Sequence, residues 1–268
     1  MPYAITIVPV MPVRAEPSHR SEIVTQVLFG ECVVTDTEQP DGWVKISTQF
    51  DNYAGWVTLS HLGMVAAAIY DAPYTHFAKE WVNQITVNGQ KMHIPYGCIF
   101  KQIHGQESTW GDFTINWEDS LQKLPHAIST SGPTPKIQVA DAQFKSIAKL
   151  FLNTAYLWGG KSVFGIDCSG FSQSVYKVLG MPLLRDAYQQ AGQGESVGFL
   201  AEAKLGDLAF FDNAEGKITH VGIMLNDHEI IHAAGKVRID AIDTEGIINV
   251  DTGLRTHKLR IIKRLRGI

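Results

Sequence analysis

Cysteine is scarce in this chain. Its 268 residues hold only Cys32, Cys98 and Cys168, odd in number and far apart. That excludes a disulfide framework, and the lack of any C-x-x-C pair excludes the usual zinc spacings. A free thiol in a reducing compartment is the simplest consequence. An excess of positive charge is missing too. The chain has 23 Lys and Arg against 27 Asp and Glu, a net charge of -4. No basic footprint is left for nucleic acid or an anionic membrane surface. No run of about 18 apolar residues occurs, so no membrane-spanning helix is expected. The opening residues, MPYAITIVPVMPVRAEP, carry neither the basic n-region nor the apolar h-region of a leader. The expectation is a cytoplasmic protein. The alternative is a periplasmic or exported one whose leader is absent from these residues.

What is present is an ordinary globular composition, 45% hydrophobic and 19% charged, in a chain long enough to bury more than one core. Residues 1–63 read as all-β. Short apolar runs (EIVTQVLFG, ECVVTDT, GWVKIST, YAGWVTLSHL) alternate with turn signals such as QPDG and DNYAG. Residues 64–128 are also strand-rich, with Asn88-Gly89 as a tight turn. Ser, Thr, Gly and Pro cluster at 129–136, which marks a linker. After it the period changes. Apolar residues at 140, 144, 147, 148, 151 and 152 predict a helix with Asp141 as N-cap. A second helix is predicted over Ser169–Leu179, ended by Gly180 and followed by Pro182. From Leu205 onward the pattern is strands, so residues 137–268 read as an α+β domain.

Cys168 sits where the glycine-rich loop WGGKSVFGID meets that second helix. Orphan N–H groups and the helix dipole favour an anion there, so a lowered thiol pKa is expected. Gly165 and Gly170 are expected to admit other backbone close by, and the N–H groups around Cys168 are candidates for an oxyanion hole. A lone cysteine is more often a small buried hydrophobe, which is the reading for Cys32 and Cys98. A nucleophilic thiol needs a base, and the base an orienting partner. If Asn226-Asp227-His228 is a three-residue hairpin connection, Gly222 lies opposite His232. His220 is then diagonal to His232 on one face, about 7–8 Å away at the backbone. A two-residue turn would put the two on opposite faces. His220 would take the thiol proton, and His232 would hold its tautomer.

Together YLWGGKSVFGIDCSGF, GDLAFF, HVGIML and IIHAAGKVRID resemble the NlpC/p60 cysteine peptidases. The resemblance covers roughly residues 137–268. It implies a papain-like fold with Cys168 as nucleophile, His220 as base and His232 as third member. Residues 1–63 resemble a bacterial SH3-like barrel, and 64–128 fit a second, divergent one. With two such barrels in front, the chain is similar to γ-D-glutamyl-L-diamino acid endopeptidases, the dipeptidyl-peptidase VI group. That likeness implies a murein peptide substrate and no cofactor. It also implies a first barrel capping the cleft, with Asp186, Tyr53 and Glu22 holding the free amine of L-Ala. Tyr156 and Trp158 would line the cleft, and Asp167 and Ser169 would stand beside the nucleophile on the substrate side. Ala187 stands where such proteins often carry Ser, which removes one substrate hydrogen bond.

Plainer readings stand beside these. Tyr53 could be barrel core, Glu22 an ordinary exposed charge, Trp158 a packing residue, and Asp186 a surface ion-pair partner of Arg185. For the whole chain, one competing reading is a broader endopeptidase acting on intact cell wall, its barrels serving as targeting modules. Another is a non-catalytic binding protein on the same scaffold.

Overall fold

The computed structural model describes residues 2–129 and 139–265. The linker expected at 129–136 therefore lies outside the described residues, Ser129 excepted. The chain divides into two compact units. The first holds the residues up to 129, together with 158–163 and 177–182. The second holds 139–157, 164–176 and 183–265.

The first unit opens with seven strands: β1 (Tyr3–Thr6), β2 (Val10–Arg14), β3 (Ile23–Leu28), β4 (Cys32–Glu38), β5 (Trp43–Thr48), β6 (Ala54–Thr58) and β7 (Leu62–Val65). They form one antiparallel sheet in the order β3-β2-β6-β5-β4-β1-β7. Alternate residues Met11, Val13, Val27, Val44, Ile46 and Val57 fill its core, as the period of two requires. A short helix α1 (Ala67–Tyr70) follows. Then come β8 (Tyr74–Ala78), β9 (Val82–Val87), β10 (Gln90–Pro95), β11 (Ile99–Lys101), β12 (Glu107–Trp110), β13 (Phe113–Asn116) and β14 (Leu121–Ile128). Val87 pairs with Gln90, and Asn88 and Gly89 both have positive φ, 47° and 79°. That is the tight turn expected from Asn-Gly. These strands make two small sheets, β10-β9-β13-β12 and β11-β8-β14.

Besides the core of the first sheet, one cluster joins Ile5, Leu28, Phe29 and Cys32 of the first module to Cys98, Phe100, Trp110 and Trp117 of the second. The Phe29 ring lies 5.7 Å from Trp110, and Phe100 lies 4.6 Å from Trp117. The segments 158–163 and 177–182 join this unit through polar side chains of the first sheet. Glu22 Oε1 accepts from Trp158 Nε1 at 2.6 Å, and Gln26 Oε1 accepts from the Lys161 N–H at 2.8 Å. Buried Glu31 pairs with Lys177 Nζ at 2.5 Å, with Lys161 Nζ at 3.9 Å from its other oxygen. The unit thus takes in residues from beyond the expected 129–136 break.

The second unit carries α2 (Asp141–Leu150) and β16 (Gly165–Ile166). The strand β15 (Lys161–Ser162) belongs to the first unit. The helix α3 (Cys168–Val178) belongs to the second up to Tyr176, and α4 (Ala187–Gln190) follows. Then come β17 (Glu195–Val197), β18 (Leu208–Asp212), β19 (Ile218–Met224), β20 (Glu229–Ala234), β21 (Lys236–Ile242), β22 (Gly246–Ile248) and β23 (Arg255–Arg264). Ala140, not Asp141, is the N-cap of α2; Asp141 falls one residue inside, where its charge still favours the helix dipole. Strands dominate, and among the described residues the α-helices of this unit all precede β17, with one short 3-10 helix at Leu200–Glu202 after it, so the α+β description holds only roughly. The strands run β17-β23-β18-β19-β20-β21-β22, and β22 also pairs with β23. The six strands β18–β23 therefore close into a ring. Closure removes the exposed edges and sets the two ends of the sequence pattern, β18–β19 and β23, side by side.

Candidate active site

The site begins at the first turn of α3. Asp167 caps it: its carbonyl accepts from the Phe171 N–H at 2.9 Å, and its Oδ1 from the Gly170 N–H at 2.7 Å. Cys168 is thus the first helical residue. The helix is buried well beyond its apolar stripe, because its polar side chains are satisfied. Ser172 Oγ donates to Gln190 Oε1 at 2.7 Å, and Gln173 Nε2 to the Leu183 carbonyl at 2.9 Å.

Asp167 and Ser169 were expected on the substrate side, but their side chains are buried and turned to Arg185. The guanidinium forks onto Asp167 at 2.6 and 3.0 Å and donates to Ser169 Oγ at 2.9 Å. Arg185, itself buried, is therefore part of the cap of α3. Gly165 also differs from expectation: a Cβ there would meet the Leu157 side chain at 2.8 Å, not backbone.

Cys168 is 6% exposed. Burial, and then the Asp167 carboxylate, push its thiol up to about 12. The N–H groups of Val221 and Ser169 and the Arg185 charge pull the other way without winning. The expected fall in thiol pKa does not occur, because desolvation outweighs the helix terminus. Tyr156 is half-buried, and its hydroxyl pKa is raised by burial and then by Cys168 and Asp167, which places it in electrostatic reach of the thiol.

Val221, whose N–H reaches the Cys168 sulfur, follows His220 on β19. The β19–β20 register pairs Gly222 with His232, with Asn226–His228 as the connection. His220 Nε2 lies 2.8 Å from His232 Nδ1, and both rings are buried. Gly222 is what permits this, since a Cβ there would come within 2.8 Å of His232 Cβ. The two histidines thus share one sheet face, as the three-residue connection implies.

Three neighbours escaped the sequence reading. Asp240 on β21 takes His232 Nε2 at 3.0 Å. Arg238 holds Asp240 at 2.8 Å. His257 on β23 stacks on His220, centroids 4.1 Å apart and planes at 26°. The alternation in KVRID could have placed Arg238 and Asp240 on the His232 face. His257 had no signal short of sheet closure.

Of the other expected residues, Trp158 is 62% exposed and bonded to Glu22. Tyr53 is half-buried in the first unit. Asp186 is half-buried and opens α4, its N–H donating to Gln189 Oε1 at 2.9 Å. Cys32 and Cys98 are buried.

Both stacked rings are held neutral. Burial, then His232 and His257, push His220 well below the ordinary histidine value; burial and then His232 bring His257 to about 4, against a smaller pull from Asp240. Below about pH 6.5 the unfolded chain therefore binds more protons than the folded one. Stability should be whole above about pH 6.5 and decline as pH falls, the His257 share levelling off near pH 4. Thermal melts from pH 7 to 4.5 check this. His257→Phe keeps a ring in the stack but takes no proton, so its melting temperature should fall less steeply. Identical slopes for the two proteins would remove His257 from the account.

Residues 153–256 match the NlpC/P60 family, and residues 13–62 match the bacterial dipeptidyl-peptidase SH3 domain. A Bacillus subtilis protein named gamma-D-glutamyl-L-lysine dipeptidyl-peptidase is 30% identical over 221 residues, 79% of this chain and 72% of that protein. The chain belongs to the NlpC/P60 family. It is accordingly a cysteine peptidase and a peptidoglycan hydrolase, with an SH3-like module ahead of the NlpC/P60 fold. A Listeria innocua protein named "Probable endopeptidase p60" is 37% identical, but over only 100 residues, 37% of this chain and 21% of that one. The crystal structure of an NlpC/P60 family protein from Bacillus cereus shares the fold with a TM-score of 0.79, at 20% identity, over 98% of this chain and 99% of that one.

Proposed function

We propose that the chain hydrolyses the amide between γ-D-Glu and the diamino acid of murein peptides that carry a free N-terminal L-Ala, a step of cell-wall peptide recycling. The observation that carries the chemistry is the buried thiol at a helix start, with His220, bonded to His232, on the strand whose next N–H reaches that thiol. His220 takes the Cys168 proton as the sulfur adds to the amide carbonyl. The proton passes to the leaving amine, and a thioester remains. Water, deprotonated by the same imidazole, then attacks the thioester, returning the thiol and releasing the dipeptide acid. N–H groups at the start of α3 stand in for an oxyanion hole.

The extent of likeness favours peptide over wall. The dipeptidyl-peptidase relative matches over 221 residues, 79% of this chain and so beyond the peptidase region alone, whereas the p60 likeness stops at about 100 residues. Mass spectrometry of products from L-Ala-γ-D-Glu-L-Lys, run beside purified sacculi, tests the proposal. Release of L-Ala-γ-D-Glu supports it. Sacculus digestion without tripeptide cleavage replaces it with the wall-endopeptidase reading.

A further inference from the structure

We propose that Asp240 is a positioning residue that sets the tautomers of both histidines, so that the Nδ1 lone pair of His220 is the one left to accept the thiol proton. The proposal rests on reading His220 as the base.

Asp240 is 2% exposed and lies on β21, diagonal to His232 across the β20–β21 pairing, in which His232 faces Arg238. Three hydrogen-bond donors and one further ion-pair contact surround its carboxylate. Oδ1 accepts from the Val250 N–H at 3.0 Å and from Arg238 Nη2 at 2.9 Å. Oδ2 faces Arg238 Nε at 2.8 Å and His232 Nε2 at 3.0 Å. Burial works against its charge, but hydrogen bonds from His232, Val250 and Arg238 outweigh that and bring the carboxyl to about 2. An ionised carboxylate only accepts, so His232 Nε2 must carry a proton.

Arg238 decides the next step. It already supplies the cation that Asp240 needs, and it is itself held by Asp251 at 2.9 Å. His232 need not charge to satisfy the carboxylate. A neutral imidazole has one N–H, so His232 Nδ1 is an acceptor. The nitrogen 2.8 Å from it, His220 Nε2, must donate. Burial holds His220 neutral, which leaves its Nδ1 with the lone pair. The chain Asp240–His232–His220 therefore has one consistent direction, and that direction ends on a base. When His220 takes the thiol proton, the same chain faces the new imidazolium with an acceptor, backed by a carboxylate.

Asp240→Asn reverses the direction while nearly preserving shape. The amide oxygen belongs where Oδ1 accepts from Val250 and Arg238, so the NH2 group faces His232 Nε2. His232 must then protonate on Nδ1, and His220 must accept on Nε2 and protonate on Nδ1. The base is blocked. Ring ¹⁵N NMR of the intact protein should show His220 protonated on Nε2 in the wild type and on Nδ1 in Asp240→Asn. The kcat of the variant on L-Ala-γ-D-Glu-L-Lys should fall by about 10²–10⁴, the scale of a wrong-tautomer defect, with KM changed by less than about threefold. His220 protonated on Nδ1 in the wild type overturns the proposal, even if the variant does not fold. So does a folded variant with unchanged tautomers or with activity within about threefold of wild type. The ring spectrum needs no substrate. A wild type that cleaves no tripeptide defeats the functional proposal and leaves this one to be judged on the tautomers alone.

Discussion

Cys168→Ala is expected to abolish hydrolysis, a fall of at least about 10⁴-fold, while the protein stays folded. The substitution removes one sulfur from a buried first-turn position and leaves the Asp167 cap and the Arg185 fork in place. The stability cost should stay near about 1–2 kcal/mol, the scale of a small core truncation. Cys32→Ala and Cys98→Ala are the controls. Both thiols are buried in the shared β core, and burial pushes each pKa up. Their variants should lose stability and keep turnover per folded molecule. Equal loss in either, without unfolding, would remove Cys168 from its role.

The protonation state of the thiol makes a sharper test. A thiol at about 12 and a histidine held neutral describe a resting thiol and imidazole, not a preformed thiolate–imidazolium. The rate of iodoacetamide modification of Cys168 should therefore be low near neutrality. It should climb about tenfold per pH unit, with no plateau below about pH 9. A plateau already present at pH 6–7 would mean that an ion pair forms at rest. Deprotonation is then coupled to attack on the amide, and the direction of the histidine chain matters more than the resting charge of the sulfur.

What could be read from sequence followed from local rules. Loop length and alternation placed His220 and His232 on one face, because a three-residue connection fixes the register and Gly222 leaves room for the facing ring. The α3 start was read within one residue from its glycine-rich approach. What escaped depends on long-range closure. His257 on β23 comes over His220 on β19 across the intervening β18, and nothing in RTHKLRII announces it. Arg185 reads locally as a neighbour of Asp186, yet it spans 18 residues to fork onto Asp167. The raised thiol pKa is likewise a property of burial, which the helix start alone does not reveal. The two β modules share a core for a similar reason: Phe29 and Trp110 meet only in three dimensions.

Acetylating the L-Ala amine of the tripeptide should lower kcat/KM by about 10²-fold, and Asp186→Asn should erase most of the difference between the two substrates. An ammonium gives up costly solvation on binding unless a carboxylate meets it. Asp186 supplies one on a fixed support, with its backbone N–H tied to Gln189 at the start of α4. It is half-buried, so the pair should be worth more than a surface bridge and less than a fully buried one. Arg185, the adjacent cation, forks onto Asp167. The four rates, wild type and Asp186→Asn on free and acetylated peptide, form a double-mutant cycle whose coupling isolates the amine–carboxylate contact. Glu22→Gln run through the same cycle tests the second acid that the family resemblance implies. Glu22 Oε1 already accepts from Trp158 Nε1, and its coupling reads whether that carboxylate also meets the amine. If wild type cuts both peptides equally well, the free amine is not recognised, and activity on sacculi becomes the measurement that decides between recycling and wall cleavage.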